Sequence, residues 1–348
     1  MRKKRLAVLF AGLMLSLIIS GCSLAKRQEN IDLGFAAIAA LEYENALTCF
    51  EAAADAGENP QQIARGRGIA LLGLTRYEEA IEEFLTAFSY SNSSVDDFDY
   101  DTNYYLATAY FKMDQLEQAE KVYSAILALK PEKEAYYLRG IVYLNKGELK
   151  KASLDFDEAI KLASQDYDLR IEIYEAMAEK GYKEEGKAYL QAALASTGQK
   201  LSDYEKGRLS YYLEDYENAR IYLEAQKGTK DGESTLLLGQ TYEKLGDYNY
   251  AASIYSNYLA DNNQDVTLLN RLGMCKLHSG DAAAALDCFN RALELGDKSM
   301  TQTLKFNQIV AYEHLGDWAQ ANVLMKNYLQ LYPDDQDALR EYEFLKSR

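Results

Sequence analysis

A small residue followed four positions later by a large apolar one recurs nine times along this chain, and no other feature constrains its fold as strongly. The small residues are Ala46, Ala80, Ala119, Ala152, Gly186, Ala219, Ala251, Ala285 and Ala321, spaced 32 to 39 residues apart. Their large partners are Phe50, Phe84, Tyr123, Phe156, Leu190, Leu223, Tyr255, Phe289 and Met325. Twelve residues earlier stands a second small residue, Gly34, Gly68, Ala107, Gly140, Gly207, Gly239 or Gly273, with Tyr174 and Ile309 breaking the rule in the fifth and ninth repeats. Three residues before each first-named small residue comes Tyr43, Tyr77, Leu116, Leu149, Lys183, Tyr216, Tyr248, Ala282 or Trp318, where a helix should open. Self-similarity at such a period marks a stacked-repeat architecture, in which each unit buries its apolar face against its neighbours.

The stretch Gly232 to Asp265 shows what one unit is. Thr235, Leu238, Gly239 and Tyr242 share one helical face, and Ala251, Tyr255, Tyr258 and Leu259 share another. Between them Leu245-Gly246-Asp247 predicts a stop, a left-handed glycine and a helix N-cap. Gly239 and Ala251 then mark where two antiparallel helices approach closely.

This pattern resembles the tetratricopeptide repeat (TPR): Leu238-Gly239, Tyr242, Ala251 and Tyr255 match it, while Thr235 and Asn263 replace its tryptophan and closing proline. The resemblance spans roughly residues 27 to 333. It implies an all-α, right-handed α-solenoid of about nine helix-turn-helix units, with residues 334–348 as a C-terminal capping helix. An N-terminal subarray is expected over 27–199, its fifth unit degenerate, and a C-terminal subarray over 200–333. Leu339, Tyr342 and Leu345 are the expected apolar face of the cap.

Residues 1–21 read as a targeting segment: Arg2, Lys3, Lys4 and Arg5 precede an apolar run from Leu6 to Ser20, too short to span a bilayer. The run ends Ile19-Ser20-Gly21-Cys22, which resembles the lipoprotein signal of bacteria. That resemblance implies cleavage before Cys22, lipidation of Cys22, a short tether over 22–30, and an extracytoplasmic protein held to the cell membrane by lipid alone. Residues 1–21 carry four positive charges and no acid, so their removal takes the net charge from −16 to −20. Such an acidic chain argues against nucleic acid and favours basic partners.

Phosphate loops, His-Glu-x-x-His, Cys-x-x-Cys and Gly-x-Ser-x-Gly are absent from the sequence, so an enzyme is not expected, nor any cofactor or metal. Asp97, Asp99 and Asp101 alternate as in a calcium loop, but Thr102 and Thr108 stand where that loop needs Gly and Glu. The bland reading is a solvated loop with Asp101 or Thr102 capping the next helix. His278 and His314 fall near the ends of two first helices, where the dipole favours them. Cys49, Cys275 and Cys288 read as packed thiols, with a Cys275–Cys288 bridge as the alternative.

The resemblance implies that partners bind the concave face, lined by the first helix of each unit. The family's inward positions fall on Phe35, Ile69, Tyr104, Phe111, Tyr137, Tyr204, Arg208, Tyr211, Tyr212, Met274 and Phe306. Aromatics among scattered polar groups suit a protein or peptide. The expected function is a non-enzymatic scaffold in envelope assembly, secretion or wall metabolism. The alternative is a lipoprotein that captures glycans or other small nutrients.

Overall fold

The computed structural model describes residues 28–91, 96–196, 201–225 and 231–348; the targeting segment and Cys22 lie outside them. Every regular element among the described residues is a helix, nineteen in all. They run α1 (Glu29–Ala39), α2 (Tyr43–Asp55), α3 (Pro60–Gly73), α4 (Tyr77–Ser89), α5 (Asp97–Lys112), α6 (Leu116–Leu129), α7 (Lys133–Asn145), α8 (Leu149–Leu162), α9 (Tyr167–Glu179) and α10 (Lys183–Ala195). Then follow α11 (Asp203–Tyr212), α12 (Tyr216–Glu224), α13 (Gly232–Lys244), α14 (Tyr248–Asp261), α15 (Val266–His278), α16 (Ala282–Glu294), α17 (Thr301–His314), α18 (Trp318–Leu331) and α19 (Gln336–Leu345). Consecutive helices pair as hairpins, four from α1 to α8 and four from α11 to α18, and α19 packs on α18.

All nine second helices open at the residue the register predicts, from Tyr43 to Trp318. The first helix, α1, opens at Glu29, inside the first repeat. The acidic run from Asp97 is helical from its first residue, and Asp96 is the cap, its carboxylate accepting from the Asp99 N–H at 2.9 Å. Neither Asp101 nor Thr102 caps the helix.

The turn inside each hairpin follows one design. Leu41, Thr75, Asp114, Gly147, Gly181, Glu214, Gly246, Gly280 and Gly316 hold equivalent positions, each with φ between +59° and +88°. In the seventh hairpin the Gly246 N–H donates to Glu243 O at 3.1 Å and the Asp247 N–H to Tyr242 O at 2.9 Å. Those bonds satisfy carbonyls that the end of α13 would otherwise leave orphaned. Asp247 then accepts from the Tyr250 N–H at 3.0 Å and so caps α14.

Packing within a hairpin is a ring set against a gap. A Cβ added at Gly34, Gly68, Gly140, Gly239 or Gly273 would lie 2.1–2.6 Å from the ring of Phe50, Phe84, Phe156, Tyr255 or Phe289. Each of those rings is fully buried, and burying one stabilises by roughly 2–3 kcal/mol. Ile309 breaks the rule in the ninth hairpin, but it packs with Met325 where these five carry a ring. The two exceptions compensate each other in volume.

The chain divides into two compact units between Lys183 and Glu184, within the fifth repeat. The division falls in the repeat whose first helix carries Tyr174 in place of a small residue. In the N-terminal unit one apolar cluster runs from α1 to α5 and a second from α5 to α7. In the C-terminal unit clusters link α12 to α14, α14 to α17, and α17 to α19. Each unit is thus a stack of hairpins with its core strung from neighbour to neighbour.

First helices of adjacent hairpins also touch, α1 with α3, α3 with α5 and α7 with α9 in one unit, α11 with α13 and α15 with α17 in the other. No two second helices pack comparably among the described residues. The layer of first helices is therefore the tighter, inner side of each stack. At the end of the chain α19 buries Ala338 and Leu345, whereas Leu339 is 37% exposed. The covering face is Ala338, Tyr342 and Leu345, one residue displaced from the expected one at its start.

Candidate partner-binding face

The inner layer of the N-terminal unit begins with Phe35, half-buried on α1 and edge-on to Phe50 at 5.3 Å. Beside it Arg65 of α3 is buried under aromatic rings, its guanidinium 4.8 Å from the Phe98 centroid, 5.6 Å from Tyr105 and 5.9 Å from Phe35. Asp101 faces it at 3.6 Å, and Arg65 Nε has no hydrogen-bond partner. Burial holds this guanidinium below its ordinary pKa. Rings stacked on a planar cation tie three first helices together, so Arg65 is packing.

Two expected contact residues turn inward. Ile69 is 2% exposed and belongs to the core between α1 and α5. Tyr104 is 9% exposed, its ring edge-on to Tyr123 and its hydroxyl donating to Glu132 Oε2 at 3.1 Å. α3 and α5 are each packed against helices of the repeats on both sides, and these two positions face that packing. Phe111 and Tyr137 remain half-buried, Tyr137 lying 6.0 Å from Phe156. Their rings are partly open, as are those of Tyr110 and Tyr136.

Charge in this unit is mostly paired. Arg139 donates through Nε and Nη2 to both oxygens of buried Asp155 at 2.8 Å each, and through Nη1 to Ser124 at 3.0 Å. Lys133 donates to Asp166 at 2.5 Å. Asp101 and Glu134 are nonetheless raised above their ordinary values, first by burial; Arg65 at 3.6 Å and Lys133 at 4.0 Å oppose the shift, and Asp97, Asp166 and Glu132 add to it.

The C-terminal unit presents Tyr204, Arg208, Tyr211 and Tyr212 on α11, all half-buried. The Arg208 guanidinium lies 5.4 Å from the Tyr204 centroid, and Tyr211 is edge-on to Tyr212 at 5.7 Å and to Tyr216 at 5.6 Å. Burial pushes the Tyr211 hydroxyl up to about 12. Glu243 on α13 accepts from the buried Tyr255 hydroxyl at 2.6 Å and from Arg271 Nη1 at 3.2 Å. Further along, Met274 is half-buried, Asn307 donates to Asn270 at 2.8 Å, and Phe306 is edge-on to Tyr328 at 5.8 Å.

Arg271 escaped the sequence reading because its role needs a partner 28 residues earlier, on the preceding first helix. Asp99, in the calcium-like run, is buried and accepts from Ser91 Oγ and from Gln61 Nε2 at 3.2 Å. Asp101 faces Arg65, so the three aspartates do not converge. His278 and His314 end α15 and α17 and are exposed, His278 stacking on Tyr248 at 4.2 Å.

Comparison with known proteins places this geometry. A family model described as tetratricopeptide repeat matches residues 31–93, 104–167 and 236–299, and a second of the same description matches 304–335. The stretch between 167 and 236, holding the degenerate fifth repeat and the sixth, is unmatched, yet it is helical at the same repeat positions. No curated protein matches. A tetratricopeptide repeat protein from Parabacteroides merdae is 17% identical, with TM-score 0.45, over 81% of this chain and 98% of that one. MamA is 22% identical, with TM-score 0.39, over 47% of this chain and 93% of its own.

Proposed function

Because the chain belongs to the tetratricopeptide repeat family, we propose that it is a non-enzymatic scaffold, lipid-anchored outside the cytoplasm, that holds a protein or peptide against its first helices. The observation that carries this reading is the row of half-buried aromatics on that inner layer, Phe111 and Tyr137 in one unit and Tyr204, Tyr211 and Tyr212 in the other. Such rings already pay little entropy for being held, and they still have area to bury on a partner. Phe35 extends the face of the N-terminal unit, and Met274 and Phe306 that of the C-terminal unit.

A basic partner suits it best. The mature chain carries a net −20 once the four cations of residues 1–21 are gone from −16. Association steered by this charge slows as salt is added. The membrane address rests on the basic, apolar and Ile19-Ser20-Gly21-Cys22 segments.

Capture from solubilised envelopes with residues 23–348 tests the reading, beside a bait carrying Tyr137→Ala, Tyr204→Ala and Tyr212→Ala. A protein recovered by the first bait and lost by the second supports it. Equal recovery by both moves the binding surface off the first helices. For the anchor, Cys22→Ala should release the full chain from the membrane fraction; retention contradicts lipidation at Cys22.

A further inference from the structure

Glu243 and Glu313 occupy the same position of the seventh and ninth repeats, four residues after Gly239 and Ile309. Around Glu243 the chain supplies a full complement: the Tyr255 hydroxyl at 2.6 Å and the Arg271 guanidinium at 3.2 Å. Around Glu313 both are replaced. Met325 stands where Tyr255 stood, and Glu341 of α19 stands where Arg271 stood, again 28 residues on. Glu313 Oε1 is buried and has no hydrogen-bond partner.

The groups packed around this carboxyl do not repair it. On α19, Arg340 is paired with Asp337, and Glu343 with Lys346 at 2.5 Å. Lys346 also lies over the Tyr342 ring at 4.3 Å. The cation of α18, Lys326, is exposed, as is His314 beside Glu313. The Arg348 guanidinium lies over Trp318 and Phe344, at 5.2 and 4.9 Å. The charge that acts on Glu313 is Glu341, so burial first and this like charge second push its carboxyl up to about 7.

We propose that the Glu313–Glu341 pair makes docking of the C-terminal helix α19 pH-dependent, the helix closing as a proton enters the pair and loosening as it leaves. The sign follows from linkage. With α19 docked the Glu313 carboxyl is held up to about 7 by burial and by Glu341; undocking removes the Glu341 charge, so Glu313 holds its proton less tightly, and docking is favoured at low pH and weakens as pH rises through that window. Loosening uncovers Ile309, Met325 and Tyr328, the last apolar face of the stack, which Ala338 and Leu345 otherwise cover.

Trp318, the one tryptophan of the chain, reports this event, since its ring is edge-on to Phe344 of α19 at 6.0 Å. Emission of residues 23–348, followed from about pH 5 to about pH 8.5, should show one step with a midpoint near 7. Glu313→Gln should abolish the step and hold the low-pH emission throughout. Glu341→Arg, which rebuilds the Glu243–Arg271 arrangement here, should do the same and raise the melting temperature more at high pH than at low. His314→Gln should leave the step in place, separating it from quenching by a neighbouring imidazole. A native protein without a step, or a step that survives Glu313→Gln in a folded variant, overturns the proposal. Should Glu313→Gln fail to fold, Glu341→Gln decides: the midpoint must fall, and an unchanged midpoint overturns the proposal equally.

Discussion

Gly239 and Tyr255 meet across the seventh hairpin so closely that a Cβ on Gly239 would lie 2.1 Å from Tyr255 Cε1. The ring cannot swing aside, because Tyr255 is fully buried and its hydroxyl is held by Glu243 at 2.6 Å. Gly239→Ala should therefore destabilise the C-terminal unit. Overpacking costs about 1–3 kcal/mol, and alanine's helix preference returns roughly 1 kcal/mol at most. A urea midpoint below that of the native protein is expected; an unchanged or higher one would mean that the hairpin is looser than described.

The turns predict a change of the opposite sign. Thr75 holds φ of +63° at a position where five of the nine hairpins have glycine, and a β-branched residue is strained there. Thr75→Gly should stabilise by roughly 1 kcal/mol, the relief of strain exceeding glycine's extra freedom in the unfolded chain. Thermal melting checks it, and a lowered midpoint refutes it.

A third test concerns Arg139, whose guanidinium ties α6, α7 and α8 through Ser124 and Asp155. Asp155 is 5% exposed, so Asp155→Ala strands a cation against the core and should cost about 3 kcal/mol or more. Replacing both ends, Arg139→Met with Asp155→Leu, should cost far less. A double variant as unstable as the single one would contradict this account.

The hairpins were legible in the sequence because their strongest constraint is local: a gap at Gly239 and a ring at Tyr255 must fall at fixed spacing, and chain positions alone reveal that. The second-helix starts followed from the same register. Which inner-layer residues stay open was not legible. Ile69 shares its repeat phase with half-buried Phe35, and Tyr104 shares its phase with half-buried Tyr137, yet neighbouring hairpins seal them. Ion pairs such as Glu243 with Arg271 join separate repeats. Their signal is a spacing of 28 residues between opposite charges, and it carries meaning only once the stacking is known.

Thiol chemistry separates packing from bridging. Cys49, Cys275 and Cys288 are free, and burial pushes the Cys275 thiol up to about 12 and raises that of Cys288. Because the thiolate is the reactive form, a thiol reagent at about pH 8 should modify half-buried Cys49 first. Cys275 and Cys288 should react only on unfolding. One reactive thiol in denaturant without reductant, in place of three, would show a Cys275–Cys288 bridge.

The central claim is that a partner lies on the first helices, and photo-crosslinking from defined positions tests it most directly. A photoreactive residue placed at Tyr137 or Tyr212 samples the inner layer. The same residue at Leu154 or Ile221, exposed on second helices, samples the outer side. In intact cells the account predicts one protein adduct from the inner positions and none from the outer. Adducts from Leu154 or Ile221, with Tyr137 and Tyr212 silent, would contradict it.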